Sequence, residues 1–483
     1  MKKNGLFKVI LIVLGALLLI SGVLSILGYF IPALEGKFLM IPLGDTITNF
    51  VQSFYYFFDT LVYLLVLGAF YGVLNEIPAY KKLIENVVTK VKNHSKLFVC
   101  IVISLFTVLT FVTGQIGILL IFVPFMAAIV MGLGYDKLVA ISSTIVAMLV
   151  GFMSSLFAAF RDPNGYYGYA ATTFEGVVGS KMYANLWPKL ILLVLGTVLL
   201  IFFVIRHIKA VQDKKVKYEL NEGNEVEVSE VKGDYKTIRT WPIVVVLVLM
   251  LALLILGFMP WNTLFGIECF DKFNEWLLGL KIGEFKILSN VVSSNIFSFG
   301  NWASMGTYMC TIITLLVFTF IVKLIYRVKF DEVVKNFVSG AKKMIPMILI
   351  VVLTYSILVC AYNYGFMSSV ITWLNDAIGI NVGTTAVITA LGTLLHTDLY
   401  YTVAGVLVTV MKNVTDESLY STYALTFQSV YSVVSIIAPT SLFVVFAVKY
   451  FDIPYTTWVK YIWRFVLMLF LLVLLVLLIL ALI

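Results

Sequence analysis

Apolar residues fall in long runs separated by short polar connections, and several runs reach the roughly twenty residues with which a helix spans a hydrocarbon core of about 30 Å. Crossings are predicted over residues 7–31, 58–75, 137–160, 187–206, 241–261, 307–327, 344–364, 419–448 and 461–482. Two further apolar stretches, 97–134 and 382–411, carry small polar residues near their middles. The expected fold class is therefore an all-α polytopic membrane protein with about nine transmembrane helices.

In the stretch 382–411, His396, Thr397 and Asp398 separate two apolar arms. Each arm has about 13 residues and reaches about 20 Å at 1.5 Å per residue, short of the core thickness. Two arrangements fit those lengths. One is a re-entrant hairpin entering from outside, which carries an imidazole and a carboxylate to a depth where ionisable groups are costly and usually functional. The other is a pair of tilted, shortened helices with His396 and Asp398 in a cytoplasmic turn. The stretch 97–134 is interrupted at Thr113, Gly114, Gln115 and Gly117. Its longer arms fit two full crossings as well as a hairpin.

The helices that follow are also expected to be broken. Over 419–448, Pro439 removes an amide donor and frees a carbonyl one turn back, and unwound backbone at that depth must be buried in protein or line a cavity. Ala438, Pro439, Thr440 and Ser441, with Gln428, Ser429 and Ser432 on the turns before them, are candidates to hold a substrate group or a cation, including Na⁺ near Pro439 and Thr440. A structural kink is the alternative for one proline in a membrane helix. Over 137–160 the corresponding positions are Gly151, Ser154 and Ser155, without a proline.

These parts recur in the same order. LVLGAFYGVLNEIPAYKKLIENVVTKVKNHSKL, from residue 65, and IVVLTYSILVCAYNYGFMSSVITWLNDAIGINV, from residue 350, each read as a helix end, a break, an amphipathic segment and a new apolar stretch. The first copy begins its amphipathic segment among lysines, the second in a loop without Lys or Arg from 365 to 381, so the copies are inverted. This divides the chain into a first membrane half, 1–206, a charged cytoplasmic linker, 207–240, and a second membrane half, 241–483. Inverted repeats are the signature of secondary transporters, in which alternating access moves one unit against another around a midplane site.

Composition agrees. Apolar residues make up 61% of the 483 and charged residues 12%, where a soluble domain has about half and a quarter. The net charge of +8 does not indicate nucleic acid, because the basic residues form short clusters between apolar runs. With the N-terminus inside and the C-terminus outside, 26 of the 34 Lys and Arg fall on the cytoplasmic side, as the positive-inside rule requires. The first apolar run exceeds a signal-peptide core and is expected to remain as an anchor in a bacterial-type plasma membrane. Cys100, Cys269, Cys310 and Cys360 lack metal-ligand spacing, and no cofactor is expected beyond Na⁺ or H⁺ as a coupling ion.

Three short runs, GLGYDKLVAISSTIVAMLVGF (132–152), FQSVYSVVSIIAPTS (427–441) and YFDIPYTTWVKYIW, resemble the YfcC-type carriers, relatives of the anaerobic C4-dicarboxylate carriers in the ion transporter superfamily. The resemblance implies two re-entrant hairpins and two broken helices in a scaffold-and-transport-domain architecture, often dimeric, that carries organic anions or amino acids with Na⁺ or H⁺. Gln428, Pro439 and Thr440 match that pattern. Gln115 stands where the family carries acidic residues, and Ala158 and Ala159 where it carries an Asn-Pro pair.

The expected function is secondary active transport, with a lipid bilayer and a small organic anion or amino acid as partners. A membrane-embedded enzyme is the main alternative, but His94, His207 and His396 are the only histidines, and neither HExxH, GxSxG nor a P-loop is present. A non-transporting partner subunit or degenerate paralogue is the third reading.

Overall fold

The computed structural model describes residues 5–161, 169–172, 174–181, 183–213, 238–293, 298–305 and 308–482. Its helices are α1 (Gly5–Leu27), α2 (Leu43–Tyr56), α3 (Phe58–Leu74), α4 (Pro78–Val91), α5 (Ser95–Thr113), α6 (Ile116–Gly132), α7 (Lys137–Phe152), α8 (Leu186–Gln212), α9 (Trp241–Phe258) and α10 (Cys269–Gly279). They continue as α11 (Met309–Ile325), α12 (Phe330–Asn363), α13 (Phe366–Ile378), α14 (Val382–Leu395), α15 (Leu399–Met411), α16 (Tyr420–Ser435), α17 (Leu442–Tyr450) and α18 (Tyr455–Leu482). Two small antiparallel ribbons interrupt the series, β1 (Ala158–Arg161) with β2 (Tyr169–Thr172) and β3 (Lys281–Ile282) with β4 (Phe285–Lys286).

The protein is an all-α polytopic membrane protein. Among the described residues six helical spans are long and apolar enough to cross: α1, the stretch Pro78–Thr113, α8, α9, α12 and α18. The pair α2 and α3, bent by 59°, makes a seventh if it is one span. The expected crossings 58–75, 137–160, 307–327 and 419–448 appear instead as shorter apolar helices or as a helix in two pieces. Residues 214–237 of the expected linker lie outside the described residues.

Burial stripes explain the arrangement. On α18 the buried positions Ile462, Phe465, Leu469, Val473 and Leu477 recur every three or four residues, and on α8 Leu192, Gly196, Leu200, Val204 and Ile208 recur every four. Each helix thus turns one narrow face inward and leaves the rest to lipid. α12 is buried nearly all round from Ile350 to Ala361 and forms the central post.

α3 crosses α12 at backbone distance. A Cβ on Gly340 would lie 2.2 Å from the Gly68 carbonyl oxygen, and one on Gly72 2.4 Å from the Asn336 carbonyl oxygen. Small residues permit this approach in a medium where dispersion and close packing drive association. Gly340→Ala is expected to force the helices apart and lower stability by about 1–3 kcal/mol, read as a lower melting temperature in detergent.

The helix expected over 137–160 stops at Phe152. Asp136 caps its start, accepting from the Val139 amide at 2.8 Å, and a π-turn occupies Ser142–Val146. After Phe152 the chain turns through Ser154 and Ser155 and continues as the strand β1. The reason is long-range: the Leu156 amide, which a further helical turn would aim at the Phe152 carbonyl, donates to the Phe111 carbonyl of α5 at 2.9 Å, and side-chain donors of α16 bond the carbonyls at the end of α7. The Gln428 amide donates to the Phe152 carbonyl at 2.9 Å, Ser429 to the Met153 carbonyl at 3.0 Å and Ser432 to the Leu149 carbonyl.

Candidate functional site

The first interruption begins where α5 ends. Gly114 adopts φ +62, and its amide donates to the Thr110 carbonyl at 2.8 Å. This is the left-handed terminus that glycine favours. Thr113 donates its hydroxyl proton back to Leu109 at 2.6 Å and accepts from the Gln115 amide at 3.3 Å. The chain thereby reverses, and α6 begins at Ile116 with Gln115 as its N-cap residue. Gly117 packs where a side chain would not fit, since a Cβ there would lie 2.6 Å from the Tyr308 hydroxyl oxygen.

The second interruption has the same plan. An Asn381–Thr384 capping box starts α14, satisfying two terminal donors reciprocally. α14 ends at Leu395, His396 and Asp398 are extended, and Asp398 caps α15 by accepting from the Tyr401 amide at 3.1 Å. The Thr402 hydroxyl donates to the Asp398 carbonyl at 2.6 Å and lies 3.1 Å from His396 Nδ1. With that single hydroxyl proton already committed, Nδ1 must be the donor to Thr402. His396 is buried against its own hairpin.

Both tips meet at one cavity of about 120 Å³, well above the roughly 10–15 Å³ that holds a single water. Gly114, Gln115, Ile116 and Gly117 line it from the first tip and Thr397, Asp398 and Leu399 from the second. The other side is formed by Tyr56 and Phe57, by Asp59 and Thr60 on α3, and by Tyr308 and Tyr355. Phe57 and Tyr355 stack at 3.7 Å with rings 5° from parallel, which makes a flat aromatic wall. Tyr431 joins the lining and donates its hydroxyl to the Thr397 carbonyl at 2.5 Å.

The remaining sequence-selected residues hold the frame around this cavity. Thr397 donates to the Thr440 carbonyl at 3.3 Å, and Thr440 donates to the Leu394 carbonyl at 3.0 Å, so the second tip is tied to the break between α16 and α17. Ser441 caps α17. Carbonyls released before Pro439 already accept protein donors: Trp458 bonds Ile436 at 3.1 Å and Tyr455 bonds Ile437 at 2.8 Å. Gln428 and Ser432 bond the end of α7, and the Ser155 hydroxyl accepts from Gln428. The Ser154 hydroxyl and Gln428 Oε1 are buried without a hydrogen-bond partner. Gly151 packs on α5, where a Cβ would lie 2.2 Å from the Thr107 carbonyl oxygen.

Asp59 is the lining residue that sequence reasoning passed over. It is an acidic residue in the first turn of α3, inside a predicted crossing, and a carboxylate at such a position is itself a functional signal. The cavity-lining tyrosines carried no such signal, because aromatic residues are common throughout this chain.

Apolar helices long enough to cross a bilayer, packed with shorter ones around a cavity where two interrupted segments meet, are the architecture of a membrane carrier. A family model gives the particular assignment. The model for the C4-dicarboxylate anaerobic carrier, DcuC, matches residues 8–482, and the chain belongs to that family. Neither a curated protein nor a solved structure matches it.

Proposed function

We propose that the chain is a secondary active transporter that carries a small organic anion, a C4-dicarboxylate foremost, across the plasma membrane by alternating access. Carriage of an amino acid is the second substrate reading. The observation that carries the proposal is the convergence of both hairpin tips and the α3 and α12 side chains on one cavity. Such a cavity lets a ligand be held between two units that move relative to each other.

In this reading α3–α4, the first hairpin, α7 and α8 repeat, inverted, as α12–α13, the second hairpin, α16–α17 and α18, as in the YfcC-type carriers of the ion transporter superfamily. The N-terminus is cytoplasmic, the hairpins are re-entrant, movement is of the elevator type, and two copies pair through their outer faces. Na⁺ or H⁺ supplies the driving force, with Asp398 as the charged group that senses it. A Na⁺ at Pro439 and Thr440 would have to displace the Thr397 hydroxyl from the Thr440 carbonyl. Membership of a carrier family favours this reading over a membrane-embedded enzyme.

Uptake of labelled succinate into proteoliposomes, driven by an imposed Na⁺ or H⁺ gradient, tests the proposal. Accumulation above the equilibrium level under one of the gradients is expected. Binding without flux under either gradient would favour a non-transporting paralogue.

A further inference from the structure

Two tyrosines of α3 reach across to the backbone of the first hairpin. Tyr63 donates its hydroxyl to the Gly117 carbonyl at 2.7 Å, and Tyr71, two turns further along α3, donates to the Ile121 carbonyl at 2.5 Å. Both side chains are almost wholly buried. The carbonyls they bond lie in the least regular part of α6, where a short helical turn at Ile116–Leu119 passes into a 3₁₀ turn at Leu120–Phe122 ahead of Pro124. Tyr63 also stacks on Tyr308 at 4.5 Å with the rings 8° from parallel, and Tyr308 is the ring against which Gly117 is seated.

Resting on the alternating-access reading above, we propose that Tyr63 and Tyr71 are positioning residues, hydroxyl latches that hold the first hairpin tip on α3 in this conformation and set how often it leaves. Asp59, Thr60, Tyr63 and Tyr71 share one helix, so α3 supplies part of the cavity wall and also grips the opposite tip. The Ile121 carbonyl lies outside the cavity lining, at a depth where little water is at hand to replace a departing hydroxyl. When the tip moves along α3, each tyrosine gives up a carbonyl, and each carbonyl must find another donor. Phenylalanine retains the ring, its burial and its stacking, and removes only the bond.

The net value of such a bond, about 0.5–1.5 kcal/mol, corresponds to about a 2- to 10-fold change in a two-state population. The test uses the full-length protein in nanodiscs with genetically encoded spin labels at Val108, on the lipid-facing side of α5, and Val317, on the lipid-facing side of α11. α11 packs beside α3, so this pair reports movement of the hairpin arm against the α3 unit. The expected distribution has a major and a minor distance. Tyr63→Phe and Tyr71→Phe are each expected to raise the minor-to-major ratio by about 2- to 10-fold.

Tyr455→Phe removes a hydroxyl–carbonyl bond of the same kind between α18 and the end of α16, away from the hairpin–α3 contact. It is expected to leave the ratio unchanged. A ratio that responds to succinate but to neither Tyr63→Phe nor Tyr71→Phe would overturn the latch and spare the transport reading. A shift with Tyr455→Phe as large as that with Tyr63→Phe would also overturn it. A single distance in every variant, with and without succinate and Na⁺, would remove the alternating movement and the latch together.

Discussion

Asp398→Asn is expected to leave the fold intact while weakening ligand or coupling-ion binding by about 10- to 100-fold, the range for losing one charge-assisted contact of about 1.5–3 kcal/mol. The separation of the two effects follows from the two tasks of this side chain. Its Oδ1 caps α15 through the Tyr401 amide at 3.1 Å, and asparagine caps a helix as well as aspartate does. Asp398 also lines the cavity together with Thr397, Asp59 and Tyr355, and asparagine removes its charge. Melting in detergent should therefore move little, whereas the dependence of succinate uptake on the Na⁺ or H⁺ gradient should change. An ion dependence identical to that of the unaltered protein would take Asp398 out of the coupling role.

Gln428→Leu should have the opposite signature, a loss of about 2–4 kcal/mol of stability that precedes any effect on transport. The Gln428 side chain is fully buried, and its Nε2 donates to the Phe152 carbonyl, the Ser155 carbonyl and the Ser155 hydroxyl at 2.9–3.0 Å. Leucine matches its bulk but leaves these acceptors without that donor, in an interior where each unmet polar group costs about 1–3 kcal/mol. Because these bonds end α7 and fix its crossing with α16, a lower melting temperature and reduced yield are expected. Unchanged melting would show that the neighbouring Ser429 and Ser432 hold the junction by themselves.

Part of this architecture is legible in the sequence. Stripes on α8 and α18 are legible because membrane helices repeat every three or four residues whatever they pack against. The interruptions at Thr113–Gly117 and at His396–Asp398 are legible because polar residues in an apolar run are costly and therefore conspicuous. What a polar residue bonds is not legible when its partner is remote. Gln428 meets Phe152 across 276 positions and Thr397 meets Thr440 across 43, so residues equally suited to hold a ligand divide into a cavity lining and a framework. The strand at Ala158–Arg161 was hidden for the same reason: its apolar residues continue a helical pattern, and the helix is stopped by bonds to α5 and α16.

The glycine contact between α3 and α12 has a mechanical consequence. Gly68, Gly72 and Gly340 meet through backbone atoms, with the Met344 side chain seated against Gly68, so at this crossing few side-chain rotamers are free to exchange and let one helix slide past the other. The pair behaves as a single beam. It carries Asp59, Thr60 and Tyr355 on one side of the cavity and presents Tyr63 and Tyr71 to the first hairpin. In the alternating-access cycle proposed above, the stroke would then fall to the hairpins and the helices bound to them, with the beam as their rail.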